Sequence, residues 1–139
     1  MEKYFISPDD LLRDSFLLGQ KIIESGFRPD FIVGIWRGGT PVGIAVPELL
    51  DYAGIATDHV AIRTSYYEGI AHTAETVQVH GLGYLSRKIN RDDSLLIVDD
   101  VLDSGKSIEA VIMDLRARCR RNMPSDLRVA TCWYKPTKN

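Results

Sequence analysis

Leu95-Leu96-Ile97-Val98-Asp99-Asp100-Val101-Leu102-Asp103-Ser104-Gly105-Lys106-Ser107 opens on four consecutive apolar residues and closes on small polar ones. The unbroken apolar run is the pattern of a strand buried on both faces, and so of a central strand in a parallel sheet. Asp99 to Lys106 reads as a loop, and Ser107 starts a helix with Ile108, Val111, Ile112 and Leu115 on one face. Arg116, Arg118, Arg120 and Arg121 crowd its far end, where the helix dipole favours cations. A strand feeding a helix through a polar loop is the unit of an α/β fold, whose ligands bind beyond the carboxyl ends of the strands.

Working outward, the same alternation repeats. Ser7-Pro8-Asp9-Asp10 combines a capping hydroxyl, a proline suited to the first helical position and two acids that complement the dipole. Leu11, Leu12, Ser15, Leu18, Ile22 and Ile23 then keep helical spacing as far as Gly26, with Ser15 the polar member. Phe31 to Ile35 reads as a buried strand and Trp36-Arg37-Gly38-Gly39-Thr40-Pro41 as the loop after it. A helix is expected from Pro41 to Tyr52, with Pro47 inside it inviting a kink. Val60 to Arg63 reads as a strand, Thr64 to Thr76 as a loop, Val77 to Val79 as a short strand, and Leu127 to Tyr134 as the last strand. The order predicts one α/β domain over residues 1–139, with a mainly parallel sheet flanked by helices.

Composition narrows the function. Seventeen basic and nineteen acidic residues in a chain of 139 leave a formal charge of -2. That balance gives no electrostatic footprint for nucleic acid or an anionic membrane, so a bound anion must be held by local geometry. Cys119 and Cys132 lack metal-ligand spacing and read as small half-buried thiols. His59, His72 and His80 show no ligand pattern and read as solvated or capping side chains. The amino-terminal MEKYFISPDD is charged, and no apolar stretch is long enough for a membrane span, so a cytoplasmic location is expected.

The chemistry is concentrated after the central strand. Asp99 and Asp100 are adjacent carboxylates at a sheet edge, suited to sugar hydroxyls or a metal ion. Ser104, Gly105, Lys106 and Ser107 stand at a helix start, where free N–H groups and small hydroxyl residues cradle phosphate. The nucleoside-triphosphatase loop G-x-x-x-x-G-K-[ST] is excluded, because its first glycine would fall at Asp100. A ligand that is part sugar and part phosphate fits both features.

Val98-Asp99-Asp100-Val101-Leu102-Asp103-Ser104-Gly105-Lys106-Ser107 resembles the phosphoribosyl pyrophosphate (PRPP) signature of the type I phosphoribosyltransferase family, and the likeness extends over nearly the whole chain. It implies that Asp99 and Asp100 meet the ribose hydroxyls of PRPP directly or through Mg²⁺ or its water. Asp103, Ser104, Gly105, Lys106 and Ser107 would bind the 5′-phosphate. Asp103 would also accept the proton of the incoming base.

Three further segments gain meaning from that resemblance. Arg37-Gly38-Gly39 is implied to hold the pyrophosphate, through a cis peptide between Trp36 and Arg37. Thr64-Ser65-Tyr66-Tyr67-Glu68-Gly69-Ile70 is implied to be a catalytic lid, Ser65 and Tyr66 matching the Ser-Tyr pair of the purine branch. Lys135-Pro136 looks like the xanthine-guanine branch, in which the lysine donates to the 6-oxygen of the base. Trp133 and Tyr134 beside it read as packing or dimer contacts. Purine-branch members continue past this lysine with a hood over the base, so the hood here is expected to be truncated or minimal.

The resemblance thus implies Mg²⁺-dependent transfer of phosphoribosyl from PRPP to a 6-oxopurine. The partners would be PRPP and a purine base, with no nucleic acid and no membrane. A homodimer or homotetramer is implied, with Trp36 and Tyr52 as candidate contacts. Two alternatives stand beside it: a PRPP-sensing regulator of the same fold without turnover, and an enzyme for a non-purine acceptor.

Overall fold

The computed structural model describes residues 6–68, 75–102 and 104–134. Its elements run in the order α1 (Pro8–Ser25), β1 (Phe31–Trp36), α2 (Thr40–Tyr52), β2 (Asp58–Glu68), β3 (Glu75–His80), α3 (Gly83–Lys88), β4 (Ser94–Leu102), α4 (Lys106–Cys119) and β5 (Asp126–Tyr134). A short 3-10 turn over Arg120–Asn122 follows α4. The strands form one sheet in the order β3-β2-β1-β4-β5. All neighbours are parallel except β2 and β3, which pair antiparallel. The expected α/β class with a mainly parallel sheet is therefore the observed one. Among the described residues no helix is long and apolar enough to cross a membrane.

Alternation along the two central strands builds a core on each face. Val33 and Ile35 of β1 and Leu95 and Ile97 of β4 join Ile62, Leu85, Val111 and Leu115 under α3 and α4. Ile32, Leu96 and Val98 point the other way and join Ile22, Val42, Val46 and Leu50 under α1 and α2. Both faces of β1 and β4 are thus sealed, as their continuous apolar runs require. Helix α1 starts as its sequence predicts. The Ser7 hydroxyl accepts the Asp10 N–H at 3.1 Å, and the helix ends at Gly26 with φ 84°. Ser15, the polar member of its stripe, is buried without penalty because its hydroxyl donates to the Leu11 carbonyl at 2.7 Å.

Two expectations require correction. Thr64–Glu68 is not loop but the second half of β2, and Glu75–Thr76 belongs to β3. Arg63 pairs with His80 and Glu68 with Glu75, so the hairpin supplies backbone partners that a weak sequence periodicity cannot reveal. Likewise Asp99–Leu102 is not loop. Strand β4 continues through it, with Asp99 beside Thr131 and Leu102 beside Tyr134 of β5. Helix α3 is not foreseen from the sequence, since it is six residues long and only Leu85 within it is buried. Pro47 lies buried inside α2, and the helix runs through it.

Helix α2 approaches β1 more closely than side chains permit. A Cβ on Gly43 would stand 3.2 Å from the Gly34 Cα, and one on Gly34 would stand 3.3 Å from the Gly43 Cα. This contact sets the height at which α2 begins above the sheet, and hence the position of the loop before it. Gly43→Val is expected to lower the unfolding free energy by about 1–3 kcal/mol through overpacking. The check is a lower urea midpoint at unchanged slope; an unchanged midpoint would mean that α2 lifts off β1 without cost.

Candidate active site at the carboxyl edge of the sheet

Chain direction creates the site. From β1 the chain moves through α2 to β2 on one side, whereas β4 lies on the other side of β1. The loops leaving β1 and β4 therefore diverge and leave a crevice, the usual ligand position in an open α/β sheet. Trp36-Arg37-Gly38-Gly39 forms one wall, and Asp99–Leu102 with Ser104–Ser107 forms the other.

The β4 wall carries the start of a helix beside a depression. Gly105 has φ 77° and precedes the first residue of α4, and as N-cap it brings no side chain to the helix start. The Ser104 hydroxyl accepts the Lys106 N–H at 3.3 Å, which folds Ser104 back over the helix start. Uncapped N–H groups at a helix start favour anionic oxygen. They border a depression of about 120 Å³ lined by Asp99, Ser104, Gly105, Lys106, Ser107 and Tyr66. Four of the residues implied to hold the 5′-phosphate therefore lie together. Asp103 lies outside the described residues.

The β1 wall is pressed against β4. The Trp36–Arg37 peptide is cis, as the resemblance implied. A Cβ on Gly39 would stand 2.7 Å from the Ile35 carbonyl oxygen and 2.9 Å from that of Val98. A Cβ on Gly38 would stand 2.6, 2.7 and 2.8 Å from Oδ2, Oδ1 and Cγ of Asp100. At Gly39 backbone leaves no room for a side chain, whereas at Gly38 the occupant is the Asp100 carboxylate, and Arg37 next to them is exposed.

Asp99 and Asp100 continue the alternation of β4. Asp99 lines the depression near α4, while Asp100 reaches the Gly38 loop on the α2 side. Each Oδ1 accepts the N–H of the next residue, Asp99 from Asp100 at 2.9 Å and Asp100 from Val101 at 2.8 Å. Burial, reinforced by the neighbouring Asp100 carboxyl, pushes Asp99 up to about 7. Among the described residues neither carboxylate has a basic partner within ion-pair distance. No cluster of three or more metal-binding side chains occurs among them either. Two uncompensated carboxylates beside an anion cradle fit Mg²⁺, which is commonly held by one or two carboxylates together with ligand phosphates.

The remaining candidates separate. Tyr66 borders the depression at the start of α4, whereas the Ser65 hydroxyl turns to His80 Nε2 at 3.1 Å. His80, read from sequence as lacking a partner, thus has one across the hairpin. Ser65 stands opposite Gln78, two places from His80 in register, so only the fold brings the pair together. Trp133 is a packing residue whose indole N–H donates to the Asp14 carboxylate of α1 at 3.0 Å. Trp36 and Tyr52 are exposed, at 48% and 91%. Ile70, His72, Lys135 and Pro136 lie outside the described residues.

The state of Asp99 gives a pH signature. Its proton is held more tightly in the folded chain than in the unfolded one. The resulting stabilisation is complete below the ordinary carboxyl range and is lost as pH rises through about 7. In metal-free buffer, Asp99→Asn is expected to melt higher than the parent protein at about pH 8.5 and no higher at about pH 4. Melting curves across that range check it; an advantage that does not vary with pH would contradict burial of the Asp99 charge as its cause.

Comparison with known proteins agrees with this geometry. Residues 15–139 match the family model described as phosphoribosyl transferase domain. The chain is 30% identical over 139 residues to a xanthine-guanine phosphoribosyltransferase of Ruegeria sp. (strain TM1040), covering 96% of this chain and 71% of that one. A purine phosphoribosyltransferase from Pyrococcus horikoshii superposes with a TM-score of 0.65 at 25% identity, over 88% of this chain and 80% of that one. A hypothetical protein from Neisseria gonorrhoeae, solved with bound ppGpp, superposes with a TM-score of 0.77 at 23% identity, over 98% of this chain and 73% of that one. With its sheet order, its cis peptide and its family match in agreement, the chain belongs to the phosphoribosyltransferase family.

Proposed function

We propose that this protein transfers the phosphoribosyl group of PRPP to a 6-oxopurine base (hypoxanthine, guanine or xanthine) with Mg²⁺ bound, releasing pyrophosphate. The observation that supports the reading is one crevice with the start of α4 on one side and the glycine-tight Trp36–Gly39 loop on the other, Asp99 facing the first and Asp100 the second. PRPP is a ribose with a phosphate at one end and a pyrophosphate at the other, a chemistry that suits a helix start, two carboxylates and a glycine loop carrying an arginine. The choice of a purine rests on the Ruegeria relative and on Lys135-Pro136.

In this reading the cradle at Ser104–Ser107 grips the 5′-phosphate and orients the ribose, converting remote binding into alignment at C1′. Arg37 and the backbone amides of Gly38 and Gly39 draw negative charge toward the leaving pyrophosphate oxygen. The bond between C1′ and that oxygen breaks as a purine nitrogen bonds to C1′ from the opposite face, inverting the centre. The proton released from the purine passes to Asp103. Asp99 and Asp100 bind the ribose hydroxyls while positive charge grows on the ring. Bound Mg²⁺ would supply charge neutralisation at the pyrophosphate, held by Asp99 and Asp100 directly or through water. Tyr66, at the mouth of the depression, helps to exclude water from a cationic ribose. The 6-oxopurine preference would follow from Lys135, whose ammonium donates to a 6-oxygen and opposes a 6-amino group. The protein would act as a homodimer or homotetramer in the cytoplasm.

The direct test is pyrophosphate release from PRPP and Mg²⁺ with hypoxanthine, guanine, xanthine, adenine and uracil supplied one at a time. Release with a 6-oxopurine is expected, and silence with every base would remove the transferase reading. The Asp99→Ala, Asp100→Ala double variant should be inactive. Asp103→Asn should lower kcat by roughly 10²- to 10⁴-fold, the usual worth of a general base. Its PRPP affinity by calorimetry should hold; a collapse of binding would move Asp103 from proton acceptor to ligand holder.

A further inference from the structure

The contact between Asp100 and Gly38 does more than fill space. The Asp100 side chain has its orientation set by its own strand, because Oδ1 accepts the Val101 N–H at 2.8 Å. In that orientation the carboxylate occupies the volume in which a side chain on residue 38 would begin. The three atoms nearest to a Cβ built there all belong to Asp100. Nothing else presses on that position as closely. At residue 39 the neighbours are backbone atoms of Ile35, Val98 and Asp99, so the two adjacent glycines are required for different reasons.

We propose that Asp100 is a positioning residue for the Trp36–Gly39 loop: its carboxylate seats in the notch left by the absent side chain of Gly38 and sets the gap between the two walls of the crevice. The loop hangs between two fixed points. One is the backbone contact of Gly39 with β4, together with the Gly39 N–H donated to the Ile35 carbonyl at 2.8 Å. The other is Asp100. A loop seated at both points presents Arg37 and the amides beside it in one arrangement, and an anion bound there pays little to order them. The seat also makes the ribose end and the pyrophosphate end of the site neighbours in contact. A change at Asp100 is thereby felt at the loop without any long path through the protein. This inference rests on the proposed reading of the loop as the pyrophosphate site, but the seat itself is independent of that reading.

A double-mutant cycle separates the two. The parent, Gly38→Ala, Asp100→Ala and the double variant are compared by melting temperature and by calorimetric affinity for pyrophosphate with Mg²⁺. Gly38→Ala should lower the melting temperature and weaken pyrophosphate binding on the order of tenfold, the scale of coupling between contacting residues. In the Asp100→Ala background, where the holding of Mg²⁺ is itself altered, the melting temperature is the readout, and the same substitution should not lower it further, because the obstructing carboxylate atoms are gone. Equal losses in both backgrounds would overturn the proposal. If Gly38→Ala alone does not fold, a folded double variant supports the seat and an unfolded one overturns it. If the parent binds no pyrophosphate, the functional reading falls, while the melting temperatures still decide whether Asp100 seats the loop.

Discussion

β1 and β4 lie side by side and parallel, Phe31 beside Leu95 through Gly34 beside Val98, and the rest of the structure hangs on that register. Both strands are buried on both faces, so a slip by one residue would exchange the side chains of the two cores and mispack each. The same register sets Gly34 beside Val98 and so brings the chain leaving β1 against the end of β4. It is there that the Gly39 backbone comes down on β4, closer than any side chain would allow. Packing and site are therefore one arrangement. The pairing that seals the core also brings the loop after β1 against the carboxylates after Val98.

In the proposed reading, local geometry replaces net charge as the means of attracting an anion. The chain is slightly acidic overall, and its site contains two carboxylates. What the crevice offers in return are the uncapped start of α4, the tight turn before α2 and the exposed Arg37. Dipoles fixed by the backbone keep their orientation whatever the surface charge, and they act over a few ångströms. The carboxylates then discriminate. A simple anion approaching the cradle meets Asp99 and Asp100 as repulsive neighbours, while a ligand that brings hydroxyl groups or a cation satisfies them.

The hairpin of β2 and β3 extends the sheet beyond the parallel core and carries Tyr66 to the mouth of the depression at the start of α4. Ser65 on the same strand faces the other way and bonds to His80. A strand alternates its side chains, so the Ser-Tyr pair divides its two members between opposite faces as long as β2 holds its pairing. Trp36, Arg63 and His80 fall in one row across β1, β2 and β3, which ties the start of the loop to the hairpin in register.

Much of this protein was legible in its residues alone. The apolar run Leu95–Val98, the caps at Ser7 and Gly26, and the helical stripe of Ile108, Val111 and Leu115 depend on neighbours a few positions away, and each formed as its chemistry requires. The cradle at Ser104–Ser107 and the glycines after β1 belong to the same local grammar. Tertiary structure decided what depends on distant partners. It extended β2 to Glu68 and β4 to Leu102, since strands lengthen wherever a neighbour offers hydrogen bonds. It sent Asp99 toward α4 and Asp100 toward Gly38, pressed Gly34 on Gly43, and gave Ser65 to His80. None of those pairs lies close in sequence except the two acids, whose division is set by the pleat. Short-range rules name the groups a chain brings to its site; only the packed sheet decides which of them meet.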